Sequence, residues 1–390
     1  MEHVRRLLQA IDRHVMGARV ILLTSAEAVV HPNCQRLHAD FGRFVTLRVA
    51  PLIAAGNSLF RMLGAFYERQ WKNAESLNQA FSEIGPGNID FILLPHLEAI
   101  GLLHLGLRPH LFRGKPWATI AIAVRFHHRQ AGIPGPARWV DHLQRLFFWK
   151  VVRNRKLACF GTVDPFFASA VHHPVVVHCP DPCEPPVLGD AARARVVYGV
   201  RPETCVVLVF GFIDGRKCVD VLLEGAARVA ADVDLTILLA GPQHSGHVAP
   251  ILNGETARTL RDQGRLVEVN RFILTGQDID PMSAADIAWV FYEPHFVYSS
   301  SVLVRSALSG KAVIVRRQGV MGRQVEENKC GLALSSDSPD AVAAALTQLA
   351  RSPALRKEMG ENGARAFAGN TPEAFARPIV DSINQALAAR

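Results

Sequence analysis

Two short loops carry residue types suited to holding phosphate. The first is Gly211-Phe212-Ile213-Asp214-Gly215-Arg216-Lys217, between the apolar run Cys205–Phe210 and the helical stretch Val219–Ala230. Gly211 lets the backbone turn sharply, and Arg216 and Lys217 place two cations near a helix N-terminus, where the dipole already favours anions. A diphosphate is the natural ligand; a solvated Arg-Lys turn is the plain alternative. The second loop, Phe296-Val297-Tyr298-Ser299-Ser300-Ser301, again lies between strand and helix. Its hydroxyls and N–H groups suit phosphate or sugar oxygens, whereas N-capping alone needs only one serine. In the N-terminal half, His96 follows the apolar run Phe91–Leu94, and Arg125, His127 and His128 follow Ile120–Val124. A histidine at such a strand end can orient an acceptor or sugar hydroxyl, or serve as a hydrogen-bonded structural residue. Asp164, in Thr162-Val163-Asp164-Pro165, is as well suited to capping a turn as to chemistry. His172, His173, His178, Cys179 and Cys183 lie close together but match no zinc spacing, so no metal is expected. No Walker lysine loop or nucleophile elbow occurs.

These residues need elements that bring strand ends together, and the sequence alternates strand and helix throughout. Strands are expected at Val20–Thr24, Phe44–Ala50, Ile89–Pro95, Trp117–Val124, Leu157–Gly161 and Val175–His178. Helices are expected near Pro32–Phe41, Leu59–Phe81, Leu97–Leu105 and Ala137–Arg155. The second half has strands at Cys205–Phe210, Asp234–Ala240, Val267–Asn270, Ile287–Phe291 and Ala312–Val315, with helices at Val219–Ala230, Leu252–Gln263, Asp280–Ala285, Ser299–Ser309, Pro339–Ser352 and Pro353–Phe367. Near-continuous apolar strands alternating with helices mean parallel sheets covered on both faces. Cys179–Pro186 holds four prolines in eight residues, which excludes a helix or central strand and marks a linker. The expected fold class is α/β, with two Rossmann-type doubly wound parallel-sheet domains facing a cleft. The expected divisions are 1–180, 181–375, and a terminal helix at 376–390 packing back on the first domain. Ligands in such sheets bind beyond the carboxyl ends of the strands.

Composition narrows the setting. The chain has 390 residues, 49% hydrophobic and 20% charged, a globular balance suited to two cores. Its apolar runs are strand-sized, well short of the roughly 18 residues of a membrane helix. Seven scattered cysteines without a Cys-x-x-Cys pair fit reduced thiols, so a soluble cytoplasmic protein is expected. Residues 1–190 hold 21 Lys+Arg against 14 Asp+Glu, so nearly all of the net charge of +8 lies in that half. That excess permits an anionic or lipid-linked acceptor, or peripheral contact with the inner face of a membrane; a solvated basic face is the alternative. No nucleic-acid partner is expected. The helix around Arg145-Leu146-Phe147-Phe148-Trp149-Lys150 suits an interface, or a core-facing position with a basic outer side.

The ordered segments Gly211–Glu224, Leu238–Pro242, Ala284–Ala288, Tyr298–Ile314 and Gly331–Leu334 resemble the C-terminal domain of the group 1 glycosyltransferases, a large retaining GT-B family. His178-Cys179-Pro180-Asp181-Pro182 resembles the hinge of some members. The likeness spans roughly residues 175–375; the N-terminal half shares only the strand–helix alternation. The resemblance implies retaining transfer from a nucleoside-diphosphate sugar, without metal or other cofactor, the activated sugar being a co-substrate. It implies diphosphate binding by Lys217 beside Gly211 and Arg216, and donor contacts from Tyr298, Ser299, Ser300 and Ser301; Glu293, near the family's glutamate positions but out of register, and Arg305, at one of them, are further donor-side candidates. Lys217 is a catalytic candidate through the resemblance, and His96 and His127 through their places at strand ends of the N-terminal half. The chain departs from the family in having Phe212 in place of an arginine, and Val297 and Arg305 in place of two glutamates. Arg305 is donor-only and cannot accept hydrogen bonds from a ribose. Non-catalytic binding or regulatory homologues, and other GT-B chemistries such as epimerisation or phosphorolysis, remain open at this point.

Overall fold

The computed structural model describes residues 2–52, 63–136, 138–184, 186–273 and 279–389. The expected helix start at Leu59, Ala137 at the start of another helix, and Pro185 in the linker lie outside the described residues. The chain divides into two compact units, one formed by Met1–Ala131, Ala137–Pro182 and Thr371–Arg390, the other by Gly132–Pro136 and Cys183–Asn370.

The first unit carries strands β1 (Val20–Thr24), β2 (Val45–Val49), β3 (Ile92–Leu94), β4 (Trp117–Ala121), β5 (Leu157–Thr162) and β6 (Val176–His178). β1 and β2 form a parallel pair, and β3-β4-β5-β6 form a four-stranded parallel sheet in that order. β4 is buried at every residue, as a strand covered on both faces must be. One face packs Phe126, Phe148, Phe160 and Phe167 in a single aromatic cluster. The other packs Ile120 and Cys159 against Leu7 and Ile11 of helix Glu2–His14 and Phe375 and Ile379 of helix Pro372–Ala388. The chain's two terminal helices therefore complete one core.

The second unit carries strands β7 (Cys205–Phe210), β8 (Leu235–Ala240), β9 (Leu266–Val269), β10 (Ile287–Trp289), β11 (Ala312–Arg316) and β12 (Gly331–Leu334). They form one parallel sheet in the order β12-β11-β10-β7-β8-β9. The chain builds outward from β7 to β9, then returns to the other side of β7 with β10. That reversal creates a switch point between β7 and β10, where the loops leaving the two strands diverge to opposite faces and leave a crevice. The apolar pattern of Val206–Val209 and Leu235–Ala240 makes these central strands almost wholly inaccessible. In this unit β7, β8, β10 and β11 lie where the apolar runs predict them, within two residues at each end. Helix Gly319–Asn328 is absent from the expectations, because its glycines and polar residues break the apolar period.

Candidate functional site

The two loops singled out in the sequence leave adjacent strands at the switch point of the second unit. After β7 the chain turns at Gly211, whose φ of +88° lies in the left-handed region open to glycine. The neighbouring Gly241, at the end of β8, has φ +140°, and a Cβ there would stand 2.1 Å from the Gly211 carbonyl oxygen. The two strand ends cross too closely for any side chain. Asp214 then accepts a hydrogen bond from the Arg216 N–H at 3.1 Å and from Arg216 Nε at 2.8 Å, closing a short turn over Gly215–Lys217. The turn holds Arg216 beside Asp214 at the surface and sends Lys217 inward.

Lys217 is 5% exposed. Its Nζ donates to Tyr292 Oη at 3.3 Å and lies 5.0 Å from that ring's centre. Tyr292 Oη is in turn 3.1 Å from Ser300 Oγ, and Trp289 Nε1 donates to the Lys217 carbonyl at 2.9 Å. Lys217 is in no ion pair among the described residues. A buried ammonium with only a phenol for company is costly unless an anion completes its shell.

The second loop closes on the first through the Glu293 N–H, which donates to the Arg216 carbonyl at 2.9 Å. Glu293 Oε1 is buried and has no hydrogen-bond partner. Ser299 and Ser300 are buried, and Ser300 caps helix Ser301–Leu308 by accepting from the Val302 N–H at 3.3 Å. Ser301 is exposed at the helix start, and Tyr298 is half-buried with its ring 5.8 Å from Phe296. The structure thus gathers Gly211, Arg216, Lys217, Glu293 and Ser300 around one pair of strand ends. Arg305 is engaged elsewhere, since its guanidinium is ion-paired with Asp280 and stacked 5.0 Å from the Phe210 ring. Val297 is buried in packing, its backbone against Gly319.

Sequence reasoning missed Tyr292, Asp214 and Trp289. Their signal was positional: Trp289 ends β10, Tyr292 follows it, and Asp214 stands two residues before a cation in a loop already marked. It also missed His244 and His247, whose Nδ1 atoms are 3.1 Å apart beside Gly215.

In the first unit the histidines behave differently. His127 has no exposed surface, and its Nε2 is 2.8 Å from Asp164 Oδ2. His128 Nε2 lies 3.6 Å from the same oxygen. Asp164 also caps helix Pro165–Val171, accepting from the Phe166 N–H at 2.9 Å. Burial pushes its carboxyl up, but the hydrogen bonds from His127 and the Phe166 N–H, with the His128 ring close by, win and hold it well below the usual carboxylate range. Burial depresses His128 against the pull of Asp164. Among the described residues these three side chains are the one His/Cys/Asp/Glu group with converging ligand atoms; His172, His173, His178, Cys179 and Cys183 do not converge. Arg125 is ion-paired with Asp141 at 3.2 Å. His96 stands apart, its ring 5.7 Å from His3, which pairs with Asp181 at 3.1 Å. Burial and the neighbouring His3 lower His96 to about 4. Beside it Glu98 accepts from the Ile122 and Ala123 N–H groups at 2.7 and 2.6 Å, fixing the end of β4.

Residues 190–366 match the family model described as "Glycosyl transferases group 1". This stretch is a group 1 glycosyltransferase domain. The chain is similar to "D-inositol 3-phosphate glycosyltransferase 2" of Catenulispora acidiphila, 28% identical over 211 residues, which cover 50% of this chain and 48% of that one. It spans about half the length of the curated relatives it matches. Among solved structures it resembles sucrose-phosphate synthase from Thermosynechococcus elongatus, with a TM-score of 0.66 at 15% identity over 96% of this chain and 100% of that one. It also resembles Anabaena HepE, solved with UDP and glucose, with a TM-score of 0.62 at 14% identity over 98% and 95%. The fold is that of the GT-B glycosyltransferases, two Rossmann-like units with parallel sheets. In this glycosyltransferase domain the lysine loop and the serine loop are neighbours. No helix among the described residues is long and apolar enough to cross a membrane.

Proposed function

We propose that the protein transfers a sugar, with retention, from a nucleoside-diphosphate sugar to an acceptor hydroxyl, using no metal. The observation that carries this reading is Lys217, a buried ammonium with no carboxylate partner among the described residues, at the switch point of the glycosyltransferase domain and linked through Tyr292 to Ser300. Here Lys217, the Arg216 side and the Ser299–Ser301 loop hold the diphosphate. With a good leaving group, catalysis rests chiefly on stabilising the charge that develops on the departing diphosphate, and preorganised cations and hydroxyls do that without moving. Glu293 presents a buried acceptor oxygen for a donor hydroxyl, a role open because Val297 and Arg305 supply no carboxylate. Arg305, held by Asp280, braces the serine helix. His96 orients the acceptor, and His127, held by Asp164, positions the loop that bears His128. The nucleotide ligand of HepE supports the donor class. The relatives named for inositol 3-phosphate support a phosphorylated acceptor, in keeping with the basic first half. A lipid-linked acceptor reached from the inner face of the membrane fits the same charge.

The test is calorimetry and thermal shift with a panel of nucleoside diphosphates. One of them should bind and stabilise the protein, and Lys217→Ala should weaken that binding about a hundredfold, the scale of losing a buried charge-assisted contact. Absence of any response would favour a non-catalytic binding homologue, the reading to which Val297 and the occupied Arg305 point.

A further inference from the structure

A second basic feature lies in the first unit. A cavity of about 390 Å³ is lined by Trp117, His110, Lys115, Lys150, Arg153 and Lys156, among others, and among the described residues no acidic side chain lines it. None of Lys115, Lys150, Arg153 and Lys156 is in an ion pair among the described residues; the one contact recorded for Lys150 is the Phe147 ring, 5.3 Å away. Trp117 is 2% exposed, and its indole Nε1 is a buried donor without a partner.

The fold builds this arrangement. Arg113 and Gly114 both have positive φ, 47° and 78°, and the tight turn they make presents Lys115. The Trp117 N–H then donates to the Lys156 carbonyl at 2.9 Å, tying the two cationic segments together. Asn154 fixes Lys156 in turn, its Oδ1 accepting from the Lys156 N–H at 2.9 Å. Lys115 lies two residues before β4 and Lys156 directly before β5, so the cavity sits at the amino ends of those strands. His96 and His127 follow the carboxyl ends of β3 and β4, at the opposite edge of the sheet.

We propose that this cavity is a binding site for a phosphate group, separate from the donor loops and from the histidines at the other edge. Four cations with no ion pair and no lining carboxylate to compete, among the described residues, match the charge of a phosphate. The phosphate can belong to a soluble phosphoester or to a phospholipid headgroup. Trp139, Leu143 and Leu146 are exposed along the helical stripe that leads to Lys150 and Arg153, so both sources are tested. The site does not depend on the transferase reading.

The experiment uses the full chain carrying Lys217→Ala, which removes the donor loop's contribution. Inorganic phosphate is titrated by calorimetry, and co-sedimentation is measured with phosphatidylcholine vesicles with and without phosphatidylglycerol. Phosphate or anionic vesicles, or both, should bind, and Lys150→Glu with Lys156→Glu should weaken that binding about tenfold or more, since each surface cation near an anionic headgroup matters on that scale. Binding of phosphate alone identifies a soluble ligand, and binding of anionic vesicles identifies a headgroup; either supports the site. Arg13→Glu with Arg19→Glu makes the same change in net charge elsewhere in the unit. Failure of both probes, or equal loss in this control pair, overturns the proposal.

Discussion

Lys217 and Asp164 are both buried charges placed at strand ends, one in each unit, and their surroundings are opposite. Asp164 is well partnered: His127 and a backbone N–H hydrogen-bond its carboxylate, and His128 stands 3.6 Å away. Lys217 has a phenol at 3.3 Å and no carboxylate partner among the described residues. A satisfied buried charge holds structure together, whereas an unsatisfied one is kept at a cost that structure alone does not explain. The contrast teaches where to look for the ligand. The histidine cluster resembles an active site in composition, yet its carboxylate is already partnered; the lysine loop looks plainer, and its ammonium is not.

The sharpest way to break this comparison is to neutralise both charges. Asp164→Asn should lower the free energy of unfolding by about 3–5 kcal/mol, the scale of breaking a buried pair and stranding its partners. Lys217→Met should leave the midpoint of urea unfolding unchanged or raise it, while abolishing stabilisation by nucleoside diphosphates. Similar destabilisation by the two variants would make Lys217 structural and erase the distinction. The pH dependence of the Asp164 term has a definite sign. Its carboxyl is depressed in the folded state, so its contribution is complete above the unfolded value of about 4 and is lost only as the solution becomes more acidic than that.

A second test concerns His96. Its folded-state value of about 4 lies below the unfolded 6.5, so the unfolded chain binds the extra proton between those values. Stability should be fully present above pH 6.5 and fall by up to roughly 3 kcal/mol as the pH drops to 4. His128 and His178, also depressed mainly by burial, add to the fall in the same direction. Urea unfolding across this range should show a shallower slope in His96→Gln. An unchanged slope would place His96 in water and remove it from the acceptor side of the proposal.

How much of this was legible follows from what each feature depends on. The second unit's sheet was readable because its central strands are covered on both faces, and continuous apolar runs such as Cys205–Phe210 and Leu235–Ala240 have few other uses. The lysine and serine loops were readable because glycine, cations and serines cluster at strand-to-helix junctions. Strand order, and with it the adjacency of the β7 and β10 loops, was not readable, because it is set by pairing between segments some 80 residues apart, as Ile287 pairs with Val207. For the same reason nothing local marked Tyr292 as the partner of Lys217, or Asp164 as the partner of His127. Arg305 shows the converse limit. Its position in the loop-helix pattern suggested a donor contact, but Asp280, 25 residues earlier, already holds its guanidinium.

The smallest effect separates the two roles of Ser300. Its hydroxyl caps helix Ser301–Leu308 and stands 3.1 Å from Tyr292 Oη, so it belongs to both the scaffold and the Lys217 network. Ser300→Ala removes both, Ser300→Gly restores most of the capping tendency without the hydroxyl, and Ser300→Thr keeps the hydroxyl. If the serine is only a cap, Ala should cost about 1 kcal/mol of stability, Gly a few tenths, and nucleotide affinity should follow stability. If it also sets the phenol that holds Lys217, Ala and Gly should lose nucleotide affinity alike, several-fold, while differing in stability, and Thr should retain it. Thermal melts and calorimetry on the three variants read the two quantities separately. Affinity that tracks stability across the series would confine the donor site to Lys217 and Arg216, and the second loop would then contribute through its backbone alone.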